Sequence, residues 1–378
     1  MIICILGDAH STHRQRFAQF YAQAGHQVHM ISPQWVRLPS AQVHSVGWPH
    51  LGPLDGIRNL AAHLWLGVAT LRLARHLNAD VVEGHYISVT GLPAVLAAVP
   101  LRVLVTYGDD LVTDLEINPI QRWMVHRAVP RADLIFTEDY PSRIRQLLSL
   151  GAASDSIVIH NWGTEIERFH PDARSQRLRQ QFLPHGGSLV VSLRPVQRFR
   201  GFASDQYDVQ TLLEAIPQVI STCPATHFLL IGAESRAIQD LVNGSATLPS
   251  TTCVGRVPYY DLPAYLASAD LLVDTYYPQR DKQAVSHNLG QGLMEAMSCG
   301  LATLVADRIG IQEAPHYPGA IYTAGDADAL ACQAIELLRD APRRATMGAL
   351  NRQVIERHYN WHTNMQEAVK LYRNRLKQ

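Results

Sequence analysis

Short stretches along the chain hold the residue types that could do chemistry. SHNLGQGLMEAMSCG (286–300) sets one carboxylate, Glu295, in an apolar helix-forming run behind Gly290 and Gly292. Main-chain N–H groups at 289–292, from Leu289 through Gly290, can face an anion at the positive end of that helix. Glu295, one turn in, either accepts hydrogen bonds from ribose hydroxyls or pairs with an arginine at the core edge. SLRPVQRFRGF (192–202) places Arg194, Arg198 and Arg200 directly after a strand-like run, and guanidinium forks match phosphate oxygens. VTYGDDLVTD (105–114) clusters Gly108, Asp109 and Asp110. Such a carboxylate pair can exchange protons, bind sugar hydroxyls or cap a helix. In GHYISVTG (84–91), His85 and Tyr86 end another strand, where the histidine meets a ligand or makes a structural hydrogen bond. LGDAHSTHRQRF (6–17) turns through Gly7 and Asp8 into a helix led by His10, His13 and Arg14. It lacks the second and third glycines of G-x-G-x-x-G, which argues against a nicotinamide cofactor.

Each of these stretches follows or interrupts a regular alternation. Apolar runs at 2–6, 27–31, 80–84, 102–106, 133–137 and 156–160 are separated by helical periodicity, and the rhythm restarts at 188–193, 226–232, 251–255, 270–275, 302–307 and 320–324. Alternation of this kind predicts parallel sheets with crossover helices, an α/β fold of two doubly wound domains. A length of 378 residues, more than one hydrophobic core usually serves, agrees. The polar stretch 167–187, with two prolines and a glycine pair, is the expected junction. Ligands of such sheets bind beyond the carboxyl ends of the strands, so the loops quoted above are expected to line a cleft.

Composition removes other classes. Lys plus Arg (33) equals Asp plus Glu (33), so the basic footprint of a nucleic-acid binder is missing. Cys4, Cys223, Cys253, Cys299 and Cys332 are odd in number and widely spaced, as reduced thiols of a cytoplasmic protein would be. MIICILGDAH reads as a first strand rather than a signal peptide. LAAHLWLGVATLRLARHL (60–77) is interrupted by His63, Arg72 and Arg75 and falls short of a spanning helix. It predicts an amphipathic helix that packs on a core or lies on a membrane surface.

Taken in order, these pieces resemble glycosyltransferase family 4, retaining nucleotide-sugar enzymes of GT-B architecture with two Rossmann-like doubly wound domains facing a cleft. The resemblance covers nearly the whole chain: the N-terminal glycine turn, TYGDDL, RADLIFTEDYPSRIRQLLSLG, HNWGTEIERFHP, SLRP with YDVQTLLEAI, and LMEAMSCGLATLVAD with IQEA. LMEAMSCG is its most specific segment. It implies an acceptor-binding domain at 1–170, a linker at 171–187, a nucleotide-sugar-binding domain at 188–355 and a helix at 356–378 that returns to the first domain.

The same resemblance implies roles. Glu295 binds the donor ribose, Gly290 and its neighbours meet the diphosphate or sugar, Arg194 belongs to the phosphate loop, the backbone near Arg256 and Val257 contacts the base, and Gly7 approaches the diphosphate. His287, followed by Asn288, stands where relatives place a sugar-contacting glutamate. No lysine follows Arg194, so Arg198 or Arg200 takes that place. No histidine matches near TYGDD, so Asp110 or His85 stands in beside Arg194 as a catalytic group, with Asp8, His13, Tyr86 and Asp109 toward the acceptor.

The implied activity is retaining transfer from a nucleoside-diphosphate sugar to a glycan, lipid-linked or small-molecule acceptor, with no metal or other cofactor and no nucleic-acid partner. The expected location is cytoplasmic, with peripheral association at the inner membrane face. Two alternatives stay open: a non-catalytic member that binds nucleotide or glycan, which His287 favours, and a sugar-nucleotide epimerase, which would turn over the donor alone.

Overall fold

The computed structural model describes residues 1–47, 55–107, 110–111, 119–193, 208–232, 242, 250–276, 289–314 and 316–378. Two compact units emerge among the described residues, one built on Met1–Asn161 with His362–Gln378 and the other on Trp162–Lys282 with Leu289–Trp361.

The first unit is built on seven strands: β1 (Ile2–Leu6), β2 (Gln27–Ser32), β3 (Gln42–Ser45), β4 (Val81–His85), β5 (Leu101–Val105), β6 (Leu134–Thr137) and β7 (Ile157–Ile159). All pairings are parallel, in the order β3-β2-β1-β4-β5-β6-β7. Crossover segments include α1 (Thr12–Gln23), α2 (Asp55–His76), α3 (Ile87–Leu96), α4 (Pro119–Ala128) and α5 (Pro141–Ser149). Parallel sheets are covered on both faces, and the central strands are accordingly buried along nearly their whole length. Among the polar residues in that interior are Glu83 and His85, both fully buried on β4. Spaced two apart, they share one face of the strand.

The second unit repeats the plan with β8 (Ser188–Leu193), β9 (Thr226–Ile231), β10 (Thr251–Val254), β11 (Leu271–Asp274), β12 (Thr303–Ala306) and β13 (Ala320–Tyr322), ordered β10-β9-β8-β11-β12-β13. Its helices among the described residues are α6 (Gln176–Phe182), α7 (Val209–Thr222), α8 (Leu262–Ser268), α9 (Gln291–Ser298), α10 (Ile309–Gln312), α11 (Ala327–Arg339) and α12 (Ala341–His358). Leu212, Ile216, Phe228, Leu271, Leu304, Leu330 and Leu337 belong to the shared core.

Every strand expected from the apolar runs is present. The sequence reading missed β3, an edge strand whose burial pattern has no fully buried residue and which therefore carries little apolar signal. The segment 171–187, expected as a linker, belongs to the second unit instead. Its polarity is that of a surface helix: Ser175 caps α6, and Arg179 pairs with Asp270 at 2.9 Å while also donating to the carbonyls of Ser268 and Gly187. The chain passes into the second unit at Trp162 rather than near 170.

Helix α13 (Trp361–Arg375) returns the chain to the first unit from His362 onward. There the Tyr372 ring stacks on Phe136 at 5.6 Å, its hydroxyl donates to Glu83 at 2.8 Å, and Asn364 donates to the carbonyl of Asn161 at 2.6 Å. Among the described residues, no helix is long and apolar enough to cross a membrane.

Candidate functional site

In the first unit the strand order reverses between β1 and β4, the place where open α/β sheets hold ligands. Gly7 leaves β1 at φ +140°, and a side chain there would lie 2.3 Å from Nε of Arg14. Glycine therefore lets Arg14 fold back over the turn, where its guanidinium donates to the carbonyls of Asp8 at 3.4 Å and His85 at 3.3 Å. Asp8 is exposed and accepts from the main-chain N–H of His10 at 3.0 Å. His13, also exposed, sets its ring edge against Tyr107, 6.0 Å between centroids. Helix α1 has no acidic residue in its first turn, so its positive end and Arg14 make this turn attractive to an anion.

Asp110, expected as a catalytic group, is held by main-chain donors. It is fully buried, and its two carboxylate oxygens accept from the main-chain N–H of Ile87 at 2.8 Å and of Tyr107 at 3.0 Å. Tyr86, half-buried at φ +70°, precedes α3 without a capping side chain. Asp110 supplies that missing cap from another loop and ties the end of β5 to the start of α3. His85 is likewise enclosed: Nε2 lies 2.8 Å from Glu83 and Nδ1 2.8 Å from the Tyr107 hydroxyl. Tyr107, half-buried, directly follows β5. Glu83 and Tyr107 were not singled out in the sequence, although the Glu-x-His spacing in VVEGH was a usable signal.

Burial lowers the pKa of His85, against the raising effect of Glu83 and with a smaller lowering from Arg14. His160, after β7, is pushed down to about 3 by burial alone. Both rings are therefore neutral in the fold, whereas in the unfolded chain they take up protons below roughly pH 6.5. The unfolded state then binds more protons, so stability is complete above that pH and is lost as pH falls below it. The loss approaches about 1.4 kcal/mol per pH unit for each fully neutral ring. Urea denaturation at pH 7.5 and 5.5 is expected to show the drop, and His160→Gln to reduce it.

In the second unit the reversal lies between β8 and β11, and α9 begins beside it. Gly290 is its N-cap, at φ +78° with no side-chain cap, and the first turn holds no acidic residue. A side chain on Gly292 would lie 2.8 Å from Leu193 Cδ1, so this glycine allows α9 to press against the end of β8. Glu295 is 3% exposed and accepts from Gln291 Nε2 at 3.0 Å. Arg308, after β12, is a residue the sequence reading overlooked. Its guanidinium donates to the carbonyl of buried Leu289 at 3.2 Å and lies 4.3 Å from the Tyr276 ring centre. It adds positive charge to the helix start; an arginine directly after an apolar strand was the signal. Past β10, Arg256 is exposed and Val257 half-buried. The far end of α9 is anchored by Arg352 Nη1, 2.7 Å from the carbonyls of both Ser298 and Phe169. Arg194, Arg198, Arg200, His287, Asn288 and Asp109 lie outside the described residues.

Two family models cover most of this architecture: "Glycosyl transferase 4-like" over residues 2–139 and "Glycosyl transferases group 1" over 198–340. The chain belongs to the group 1, family 4-like glycosyltransferases. A curated relative from Corynebacterium glutamicum, a GDP-mannose-dependent monoacylated alpha-(1-6)-phosphatidylinositol monomannoside mannosyltransferase, is 29% identical over 208 residues, 53% of this chain and 51% of its own. The chain thus spans about half the length of that relative. Among solved structures, sucrose-phosphate synthase from Thermosynechococcus elongatus matches with a TM-score of 0.77 at 16% identity, covering 99% of this glycosyltransferase-family chain and 98% of that one. Anabaena HepE in complex with UDP and glucose matches with a TM-score of 0.71 at 17% identity, over 99% and 100%. The fold of this family member is accordingly the GT-B architecture, with two parallel-sheet α/β units.

Proposed function

We propose that this protein is a retaining glycosyltransferase that moves a sugar from a nucleoside-diphosphate sugar held by the second unit to an acceptor held by the first. The observation that carries the reading is the start of α9, where an uncapped Gly290, the buried Glu295 and Arg308 converge at the point where the strand order reverses. The diphosphate sits against the N–H groups at 289–292, and Glu295 takes the ribose hydroxyls. As the donor bond breaks, charge grows on the diphosphate, and the helix dipole and arginines stabilise it without reorganising. Fixed positive groups of this kind fill the place of a cation, which supports a metal-independent transfer. Arg194 with Arg198 or Arg200 joins them from the loop after β8, His287 and Asn288 meet the transferred sugar, and Arg256 and Val257 lie toward the base. In the first unit, Gly7 approaches the diphosphate, and Asp8, His13, Tyr86 and Asp109 form the acceptor side.

The named relative uses GDP-mannose and a phosphatidylinositol glycolipid, and HepE was solved with UDP and glucose. They support a nucleotide-sugar donor and a lipid-borne or glycan acceptor. A thermal-shift screen over UDP, GDP, ADP and their sugars, with and without EDTA, tests the donor. One diphosphate is expected to raise the melting temperature alone and in EDTA; no shift with any of them would remove the reading. Proton NMR of the transferred sugar then reads the anomeric configuration.

A further inference from the structure

A peptide group points two ways at once. In a planar trans peptide the carbonyl and the N–H lie on opposite sides, and no cis bond occurs among the described residues. Whatever holds the Leu289 carbonyl therefore also sets the direction of the Gly290 N–H. That holder is Arg308, whose guanidinium donates to the carbonyl at 3.2 Å. Both side chains are buried, Leu289 at 1% exposure and Arg308 at 3%. The Gly290 N–H is thereby aimed away from Arg308. From this peptide the chain enters α9 through φ +78° at Gly290, which glycine adopts without steric cost. The next N–H groups, of Gln291 and Gly292, have no partner within the helix and no side-chain cap.

The guanidinium is itself held in place. Where β12 passes into α10, the main-chain N–H groups of Ile311 and Gln312 donate to the Arg308 carbonyl at 2.9 and 3.0 Å. The guanidinium carbon lies 4.3 Å from the Tyr276 ring centre, and a cation over an aromatic face is attracted to it. Tyr276 borders the same turn, because its hydroxyl would lie 3.8 Å from a Cβ on Gly290. Ring, guanidinium and peptide 289–290 thus form one set within the second unit, at the start of α9. Burial raises the pKa of the Tyr317 hydroxyl, and Asp274 adds to the rise while Arg308 opposes it. A carboxylate thus acts on the same hydroxyl as the cation and offsets part of the buried charge. The direction of the hydrogen bond to Leu289 is not offset.

We propose that Arg308 is a positioning residue for the donor, which fixes the Gly290 N–H, ahead of binding, in the direction that meets the diphosphate. This inference rests on the transferase reading above. Arg308 does not touch the donor in this role; it acts through the peptide it holds. Phosphate oxygens accept and a main-chain N–H donates, so a preset N–H makes its bond without reorganising. A peptide free to turn over would face the phosphate with the Leu289 carbonyl in part of its conformations, oxygen against oxygen. The bond from Arg308 removes those conformations. Its effect is confined to the phosphate part of the donor, since base and ribose are met near residues 256–257 and at Glu295.

The ratio of diphosphate to nucleoside affinity tests the role. Calorimetry with GDP and UDP, and ligand-observed NMR with guanosine and uridine, give that ratio for wild type and variants. Arg308→Met, which keeps an apolar stem and removes the donor, is expected to weaken diphosphate binding at least about tenfold, the size of one hydrogen bond to a charged group. Nucleoside affinity should stay as in wild type. Arg308→Lys, which keeps one donor, is expected to fall between. An unchanged ratio would overturn the positioning role, and so would equal losses for nucleoside and diphosphate, the result of a merely structural arginine. A second measurement needs no variant: in wild-type protein labelled with nitrogen-15 glycine, the Gly290 amide proton is expected to move downfield with the diphosphate and to stay with the nucleoside. A Gly290 amide unmoved by a bound diphosphate would overturn the inference and leave the transferase reading standing. Failure of the wild-type protein to bind either diphosphate would overturn that reading itself.

Discussion

Replacing Glu295 by alanine is expected to weaken nucleoside-diphosphate binding at least 100-fold, the largest single effect on the donor site. The carboxylate is 3% exposed, one turn into α9, and its Oε1 accepts from Gln291. A carboxylate offers about four acceptor positions, and ribose presents two hydroxyls to them. Hydrogen bonds to a charged group contribute about 1.5–3 kcal/mol each, so losing two costs at least about 3 kcal/mol, more than a factor of 100. Calorimetric titration of the nucleotide identified by thermal shift measures it, and Glu295→Gln, which keeps one acceptor oxygen, should fall between. If Glu295 only braced the helix, the alanine variant would lose thermal stability and keep its affinity. Unchanged affinity would dismiss the ribose role.

The second large effect concerns stability and lies beside the first unit's ligand edge. Glu138, just past β6, and Arg143 on α5 pair at 3.1 Å, each only 1% exposed, and the guanidinium also lies 5.4 Å from the Tyr140 ring centre. Removing one partner leaves the other charge desolvated without its counterpart, which costs about 3–5 kcal/mol. That is a large part of the roughly 5–15 kcal/mol that holds a domain folded. Arg143→Met and Glu138→Gln are each expected to lower the urea midpoint sharply. The double variant should cost far less than the sum, because the two charges leave together. A double-mutant cycle reads the coupling; additive losses would show that the two groups act independently.

Neither residue drew notice in the sequence, and the reason is general to this chain. The apolar runs of the parallel strands and the glycine turns that follow them are local features, so the two sheets and the location of the loops at strand ends were legible residue by residue. The helix proposed for the donor was legible for the same reason: Gly290, Gly292 and Glu295 lie within one turn and a half of each other, and their spacing alone puts a carboxylate behind a glycine-led helix start. Strand β3 escaped because an edge strand with one side in water has no apolar run to betray it. The stretch 171–187 looked like a linker because a surface helix and a linker are both polar; only the pairing of Arg179 with Asp270, distant in sequence, makes it part of the second unit.

What the tertiary structure alone decided is which polar groups share an interior. TYGDD presented Asp110 as a catalytic acid or base, and the fold turns it into the cap of α3, because the main-chain N–H of Ile87 arrives from a different crossover. Glu83 and Tyr372 stand 289 residues apart yet lie 2.8 Å from each other, so the cluster around His85 closes only when the last helix returns to the first sheet. Periodicity records which side chains leave water. It does not record which buried hydrogen-bond partner, brought from far along the chain, satisfies each polar one.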